Sequence, residues 1–420
     1  MRTRCATPLL IGTLWLVGGG SVQADEEPDA TDWPAVISRL QQEVYQRPGH
    51  ALTRQQLAIA YNNYGVSLGQ QGQWTVAIEQ LREALRLDEK NGQFRVNLSN
   101  IFYNKAQSAF QQRQVQEALE ALEEAVTVNP KFPEAYTLLG EIEYGRQRLK
   151  EAKAAWEQAV ALDAGQAEAA KRLAQVTQEL PVESKFERVS QAYFDIRYEG
   201  ELERPAGFDV REALLDARRR VGADFANWPK YRLVVLLYSA ESFRVLRQET
   251  PDWVAGQFDG KIRVPLPNGR LDPKSVTQIV FHEYTHAIVQ DLANGKCPTW
   301  LNEGLAEYEG RREGPSVLVQ LVAAYGRERL IPWEQLSDQF STKLPVDEVA
   351  LGYQESYSIA RYLATRYGFW RIRRLLKTIA DGRPWQSALS EEFRVKLTRL
   401  EAQWREWLPE LFAQDQGAPR

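Results

Sequence analysis

Histidines at positions 282 and 286, with a glutamate beside the first, form the segment His282-Glu283-Tyr284-Thr285-His286. It falls in a helical pattern from about Ser275 to Leu292, where residues four apart share one face a turn apart. Two imidazoles so placed can hold one zinc ion, and the glutamate between them is set to act as general base on the water beside it. Histidine is scarce: of the three in the chain the remaining one, His50, lies far away in sequence, so a third ligand is expected to be a carboxylate. Glu303, seventeen residues after His286, meets that need if the first helix ends near Asn294-Gly295, the chain turns through Pro298, and a second helix from Trp300 to Glu309 returns. Glu307, one turn further on that face, is expected to accept a hydrogen bond from a ligand imidazole and orient it, while Glu309 points elsewhere. Without the HExxH segment, Glu303 and Glu307 would read as a solvated amphipathic face.

HEYTH followed by Trp300-Leu301-Asn302-Glu303-Gly304-Leu305-Ala306-Glu307-Tyr308 resembles the gluzincin metallopeptidases, whose thermolysin-like and aminopeptidase N-like members carry HExxH and then Asn-Glu on a second helix. The resemblance runs from roughly Phe186 to Leu411 and is closest to bacterial peptidase MA-like domains found behind tetratricopeptide repeats. It implies a zincin-like α+β domain, zinc held by His282, His286 and Glu303, Glu283 as catalytic base, and Glu307 supporting a ligand. Gly352-Tyr353-Gln354-Glu355-Ser356-Tyr357-Ser358 is similar to the aminopeptidase segment in which a tyrosine hydroxyl steadies the oxyanion, with Tyr353 the first choice and Tyr357 the second. Such a donor is worth roughly 3 kcal/mol. One departure matters: aminopeptidases grip the free amine with a Gly-x-Met-Glu-Asn strand, and the only methionine here is Met1, which favours endopeptidase action. The stretch Val254 to Leu266 reads as a hairpin turning at Asp259-Gly260, and its Gly256 to Pro265 part could offer an edge strand to an extended peptide.

The elements ahead of this domain carry a repeat. Gly65, Ala77 and Ala84 share gaps of 12 and 7 with Ala106, Ala118 and Ala125, and with Gly140, Ala152 and Ala159. Ala118 and Ala152 are 34 apart, which is the tetratricopeptide spacing, with small residues where paired helices cross and Trp74, Leu81, Leu122 and Trp156 filling the interface. Ala77 and Ala118 are 41 apart, so about seven extra residues are expected as a longer turn or helix extension around Asp88 to Phe94. Gln166 to Leu180 would cap the stack before Pro181 breaks it. Beyond about Glu183, QAYFDIRYEG and YRLVVLLY read as strands, with a helix from Val210 to Phe225 between them. The expected fold is mainly α with α+β. An all-α repeat solenoid at 25–180 precedes a gluzincin, peptidase MA-like domain at 181–413 and a flexible tail at 414–420.

Composition agrees with an ordinary folded protein, 44% hydrophobic and 26% charged, with no apolar run long enough to span a membrane. Residues 1–24 combine Arg2 and Arg4, an apolar stretch from Leu9 to Val17, and Val22-Gln23-Ala24, the layout of a secretory signal; an uncleaved short anchor is the alternative. Its removal takes the formal charge from -4 to -6, because two arginines and no acids are lost. An acidic chain of this kind disfavours nucleic acid as a partner, and the arginine groups around Arg218 to Arg220 and Arg371 to Lys377 read as solvated helix faces. Cys5 falls in the signal, leaving Cys297 alone without an internal disulfide and most simply a buried thiol. The sequence therefore points to an exported, periplasmic zinc peptidase whose repeats recruit a protein substrate or partner in their groove. The competing reading is an exported repeat scaffold with an inactive or non-peptide-hydrolysing metal domain.

Overall fold

The computed structural model describes residues 32–190, 192–200, 204–246, 257–266, 272–312, 318–341 and 344–416. The expected signal at 1–24 and residues 417–420 of the expected tail lie outside them. The chain forms two compact units, Met1–Phe102 and Tyr103–Arg420.

The first unit holds α1 (Trp33–Gln46), α2 (Ala51–Gln70), α3 (Trp74–Leu87) and the start of α4 (Gly92–Gln111). Asp32 accepts from the Ala35 amide to start α1, and His50 Nδ1 accepts from the Thr53 amide to start α2, so this histidine is a helix cap. Leu57, Ala58, Tyr61, Ala84 and Phe94 close a small core over Ile37 and Leu40. The extra residues between the first two repeats are all helical. The turn at 88–91 is as short as that at 129–132, whereas α4 has 20 residues against 13 in the corresponding α6 (Pro133–Gly145).

In the second unit α4 continues into α5 (Val115–Val128), α6, α7 (Leu149–Leu162) and α8 (Ala167–Glu183). Ala118, Ala125, Ala152, Ala159, Leu122 and Trp156 are fully buried where these helices cross. Pro181 does not end α8, which runs on to Glu183. Proline removes one backbone donor, but the far end of the helix is held by its side chains, since Glu183 accepts from Tyr238 Oη at 2.6 Å and from Arg263 Nη1 at 2.7 Å.

A five-stranded sheet follows in the order β1-β2-β3-β5-β4. Its strands are β1 (Glu187–Ser190), β2 (Phe194–Tyr198), β3 (Leu233–Ser239), β4 (Gln257–Phe258) and β5 (Ile262–Leu266). β2, β3 and β5 are parallel, while β1 and β4 pair antiparallel at the two ends. The expected hairpin forms through β4 and β5, with Val254 to Gly256 outside the described residues.

β3 is apolar along its length because both faces are covered. Val235 and Leu237 face α9 (Arg204–Phe225) and α11 (Pro273–Ala293), whereas Val234, Leu236 and Tyr238 face Val182 and the short α10 (Ala240–Leu246). The remaining chain is helical: α12 (Thr299–Gly310), α13 (Val319–Gly326), a 3-10 turn at Trp333–Phe340, α14 (Val346–Tyr367), α15 (Phe369–Ala380), α16 (Trp385–Phe393) and α17 (Leu397–Gln416). No helix among the described residues is long and apolar enough to cross a membrane.

The arginine groups are only partly solvated faces. Arg219 is exposed, but Arg218 lies over the Tyr193 ring and donates to the Pro229 carbonyl, and Arg371 and Arg374 lie over Trp370.

Candidate metal centre

Two helices make the site. Asp272 caps α11 by accepting from the Lys274 and Ser275 amides, and Asn294 closes it in the left-handed region, with φ of 49°, just before Gly295. The chain turns through Pro298 and returns as α12. Glycines set how closely α12 packs. A Cβ on Gly304 would lie 2.7 Å from the Ser356 carbonyl carbon on α14, and one on Gly310 would lie 3.0 Å from the Gln278 carbonyl oxygen and 3.3 Å from His282 Cβ on α11. Any larger residue at Gly304 would push α12 off α14.

His282, His286 and Glu303 converge, each offering one ligand atom within 4.8 Å of the others. Nε2 of His282 lies 3.6 Å from Glu303 Oε2 and Nε2 of His286 lies 3.7 Å from the same oxygen. Those gaps exceed hydrogen-bond distances but come close to the roughly 3.4 Å expected between ligand atoms arranged tetrahedrally about zinc. Two imidazoles and one carboxylate form a donor set suited to such an ion, and the residues fit it. Cys297 does not join the group; burial and then the Glu303 charge push its thiol pKa upward.

Glu307 faces the other side of His282, its Oε1 3.4 Å from Nδ1, and is itself ion-paired with Arg311 one turn on. Burial favours its neutral form, yet His282 and Arg311 together hold the carboxyl down at about 2. For His282, burial disfavours the charged ring, but Glu303 and Glu307 outweigh it and raise the pKa well above the ordinary value. Burial lowers His286. Glu303 is lowered: burial pushes it up, and the two histidines more than reverse that.

The sequence reading missed two supports. Arg311 holds Glu307 from below. Asn302 stands beside His286, near enough to influence its titration, and both Asn302 Oδ1 and His286 Nδ1 are buried without a partner that meets hydrogen-bond geometry. The Asn-Glu pair in the sequence was the available signal, since adjacent helical residues can serve two different rings.

Glu283 is 3% exposed and its Oε2 has no hydrogen-bond partner. Burial, helped by Glu303, Asp259 and Glu307 and opposed by His282, pushes its carboxyl up to about 8. Phe258 of β4 lies parallel to the His286 ring at 6.5 Å, so the hairpin forms one wall.

The two tyrosines differ. Tyr353 packs edge-on against Phe340 at 4.9 Å, and burial, followed by Glu303, Glu307 and Glu283, raises its pKa. Tyr357 accepts from Arg361 Nη1 at 3.0 Å and lies beneath Arg311. Glu309 is buried away from the cluster, 3.2 Å from Arg312.

Residues 272–410 match the family model of the Peptidase MA superfamily, and residues 56–131 and 103–169 match two tetratricopeptide-repeat models. Among solved structures, the chain is similar to the first TPR of Spaghetti (RPAP3) bound to an HSP90 peptide, at 24% identity over 30% of this chain and 94% of that one, with a TM-score of 0.23. It is also similar to MamA, at 20% identity over 36% of this chain and 80% of that one, TM-score 0.22. The first TPR domain of human RPAP3 matches at 22% identity over 30% and 94%, TM-score 0.22. No curated protein matches the chain. A helical set of tetratricopeptide repeats is thus followed by a domain of the Peptidase MA superfamily at residues 272–410.

Proposed function

We propose that this chain is a zinc-dependent endopeptidase of the gluzincin type. The observation that carries the reading is the convergence of His282 Nε2, His286 Nε2 and Glu303 Oε2, with Glu283, whose buried Oε2 has no hydrogen-bond partner, on the adjoining residue. Zinc held by these three side chains would supply Lewis acidity to a water molecule and to the scissile carbonyl. Glu283 takes the proton that the attacking water gives up and passes it to the leaving amine nitrogen. Glu307 accepts from His282 Nδ1–H, which turns Nε2 toward the ion and fixes the tautomer. Tyr353 donates to the oxyanion, a role that its place in the field of the three carboxylates supports.

The substrate is a peptide or protein outside the cytoplasm, since residues 1–24 read as an export signal, and the repeats recruit it or a partner protein. Among the described residues His282, His286 and Glu303 would hold the ion, a donor set of two imidazoles and a carboxylate that suits hydrolysis better than a structural ion. Metal analysis of the purified wild type beside His282→Ala, together with digestion of unfolded proteins with and without chelator, tests the reading. Stoichiometric zinc lost in the variant, and cleavage abolished by chelator, are expected. A metal-loaded wild type that binds unfolded proteins and cuts none would overturn it in favour of a scaffold.

A further inference from the structure

Behind the β4–β5 hairpin lies a buried ionic cluster whose members touch none of the proposed metal ligands. Alternation along β5 turns Ile262, Val264 and Leu266 into the core under α11 and Arg263 to the opposite face, against α8, while Lys261, just before the strand, lies over Tyr144 of α6. Both cations are fully buried. Arg263 Nη1 donates to Glu183 Oε1 at 2.7 Å; Nη2 donates to Glu179 Oε1 at 3.1 Å, to Tyr144 Oη at 2.7 Å and to Asp259 Oδ2 at 3.3 Å. Tyr144 Oη donates a hydrogen bond to Glu179 Oε2 at 2.7 Å, and Lys261 Nζ sits 3.3 Å over the Tyr144 ring. Gln175 joins α8 directly to the hairpin turn, its Nε2 3.3 Å from Asp259 Oδ2.

Tyr144, Gln175, Glu179 and Glu183 belong to α6 and α8, the helices of the repeat pattern; Asp259, Lys261 and Arg263 belong to the hairpin. Charges buried this deeply hold one geometry, because each loses heavily if its partner moves away. The hairpin so held is the one whose Phe258 lies along the His286 ring, and β4 ends the sheet among the described residues.

We propose that the last repeat helices are a positioning element of the substrate site: through Arg263 they fix β4, so that an extended peptide can add as a strand beside the metal cluster. This rests on the peptidase reading for its substrate. Removing the residues up to 180 would take away Tyr144 and Glu179 and uncover the face of the hairpin they pack on, so the test uses the full chain.

The variants are Tyr144→Phe, which keeps the ring beneath Lys261 and removes the hydroxyl, and Gln175→Ala, which breaks the link to Asp259 without stranding a buried charge. Amide hydrogen exchange at 257–266 is expected to speed up about tenfold in each, with α11 still protected. With β-casein as substrate, KM should rise about fivefold while kcat and metal content stay near wild type. Unchanged exchange at 257–266 in both variants overturns the proposal whatever the activity. Faster exchange with unchanged KM overturns the substrate role of the hairpin. A wild type that cuts no casein or other unfolded protein refutes the peptidase reading, and exchange then decides the coupling of repeats to hairpin by itself.

Discussion

Glu307 meets His282 on the side away from Glu303, Oε1 to Nδ1 at 3.4 Å, so one imidazole is held between two carboxylates that sit one helical turn apart. The pairing divides the work: Glu303 shares the pole where the two Nε2 atoms meet, and Glu307 sets the ring that delivers one of them. His282 and then Arg311, ion-paired to Glu307, keep that carboxylate charged, and Arg311 holds it in place.

Glu307→Ala should therefore weaken zinc binding about 10- to 100-fold without removing a ligand. Competition with a chromogenic chelator measures it. Affinity equal to wild type would mean that the His282 ring is fixed by packing alone.

Replacing Glu283 by Gln keeps its volume and removes its capacity to take a proton. kcat is expected to fall by roughly 10²- to 10⁴-fold with zinc content unchanged. Full activity in a zinc-loaded Glu283→Gln protein would remove this residue from the proton path.

Much of this was legible before any coordinates, for physical reasons that vary by residue. A helix fixes the geometry of residues four apart, so His282 and His286 had to share a face. Glu303 needed a tertiary return, but Asn294-Gly295 and Pro298 spelled the stop and turn that allow it. The seven additional residues of the second repeat were countable but not placeable, because a spacing does not say whether residues extend a helix or a turn; α4 took them all. Pro181 does not end α8 because the long-range bonds of Glu183 to Tyr238 and Arg263 outweigh proline's local cost. Those partners lie 55 and 80 residues further on, and no local pattern announces them. β1 escaped for a similar reason: all four of its residues are exposed, so it carries no burial alternation and is recognised by its pairing to β2.

Tyr353 and Tyr357 can be separated by what each loses as phenylalanine. Tyr353→Phe removes a donor in the field of the site, and kcat should drop about 10²-fold with little change in KM. Tyr357→Phe loses the Arg361 hydrogen bond, costing about 1 kcal/mol of stability and leaving kcat near wild type. Steady-state kinetics on both, with thermal melts, decide it; a larger kcat loss in Tyr357→Phe would reverse the assignment.

Glu355 makes stability depend on pH in a direction opposite to that of a salt-bridged acid. It is fully buried in α14, and burial pushes its carboxyl up to about 8, although the Ile331 amide, donating at 3.1 Å, and Arg405 work against that rise. Between its ordinary value of 4.5 and about 8 the unfolded chain carries the carboxylate while the folded chain keeps the proton, so the folded state binds more protons. Stability must then fall as pH rises through that window, by an amount on the order of 2–4 kcal/mol from this group. Glu355→Gln retains an oxygen for the Ile331 amide and has no proton to lose. Its urea midpoint should match wild type near pH 5 and exceed it near pH 8. A variant that follows the wild-type pH dependence throughout would show that Glu355 stays ionised in the folded protein, with its charge met by Ile331 and Arg405.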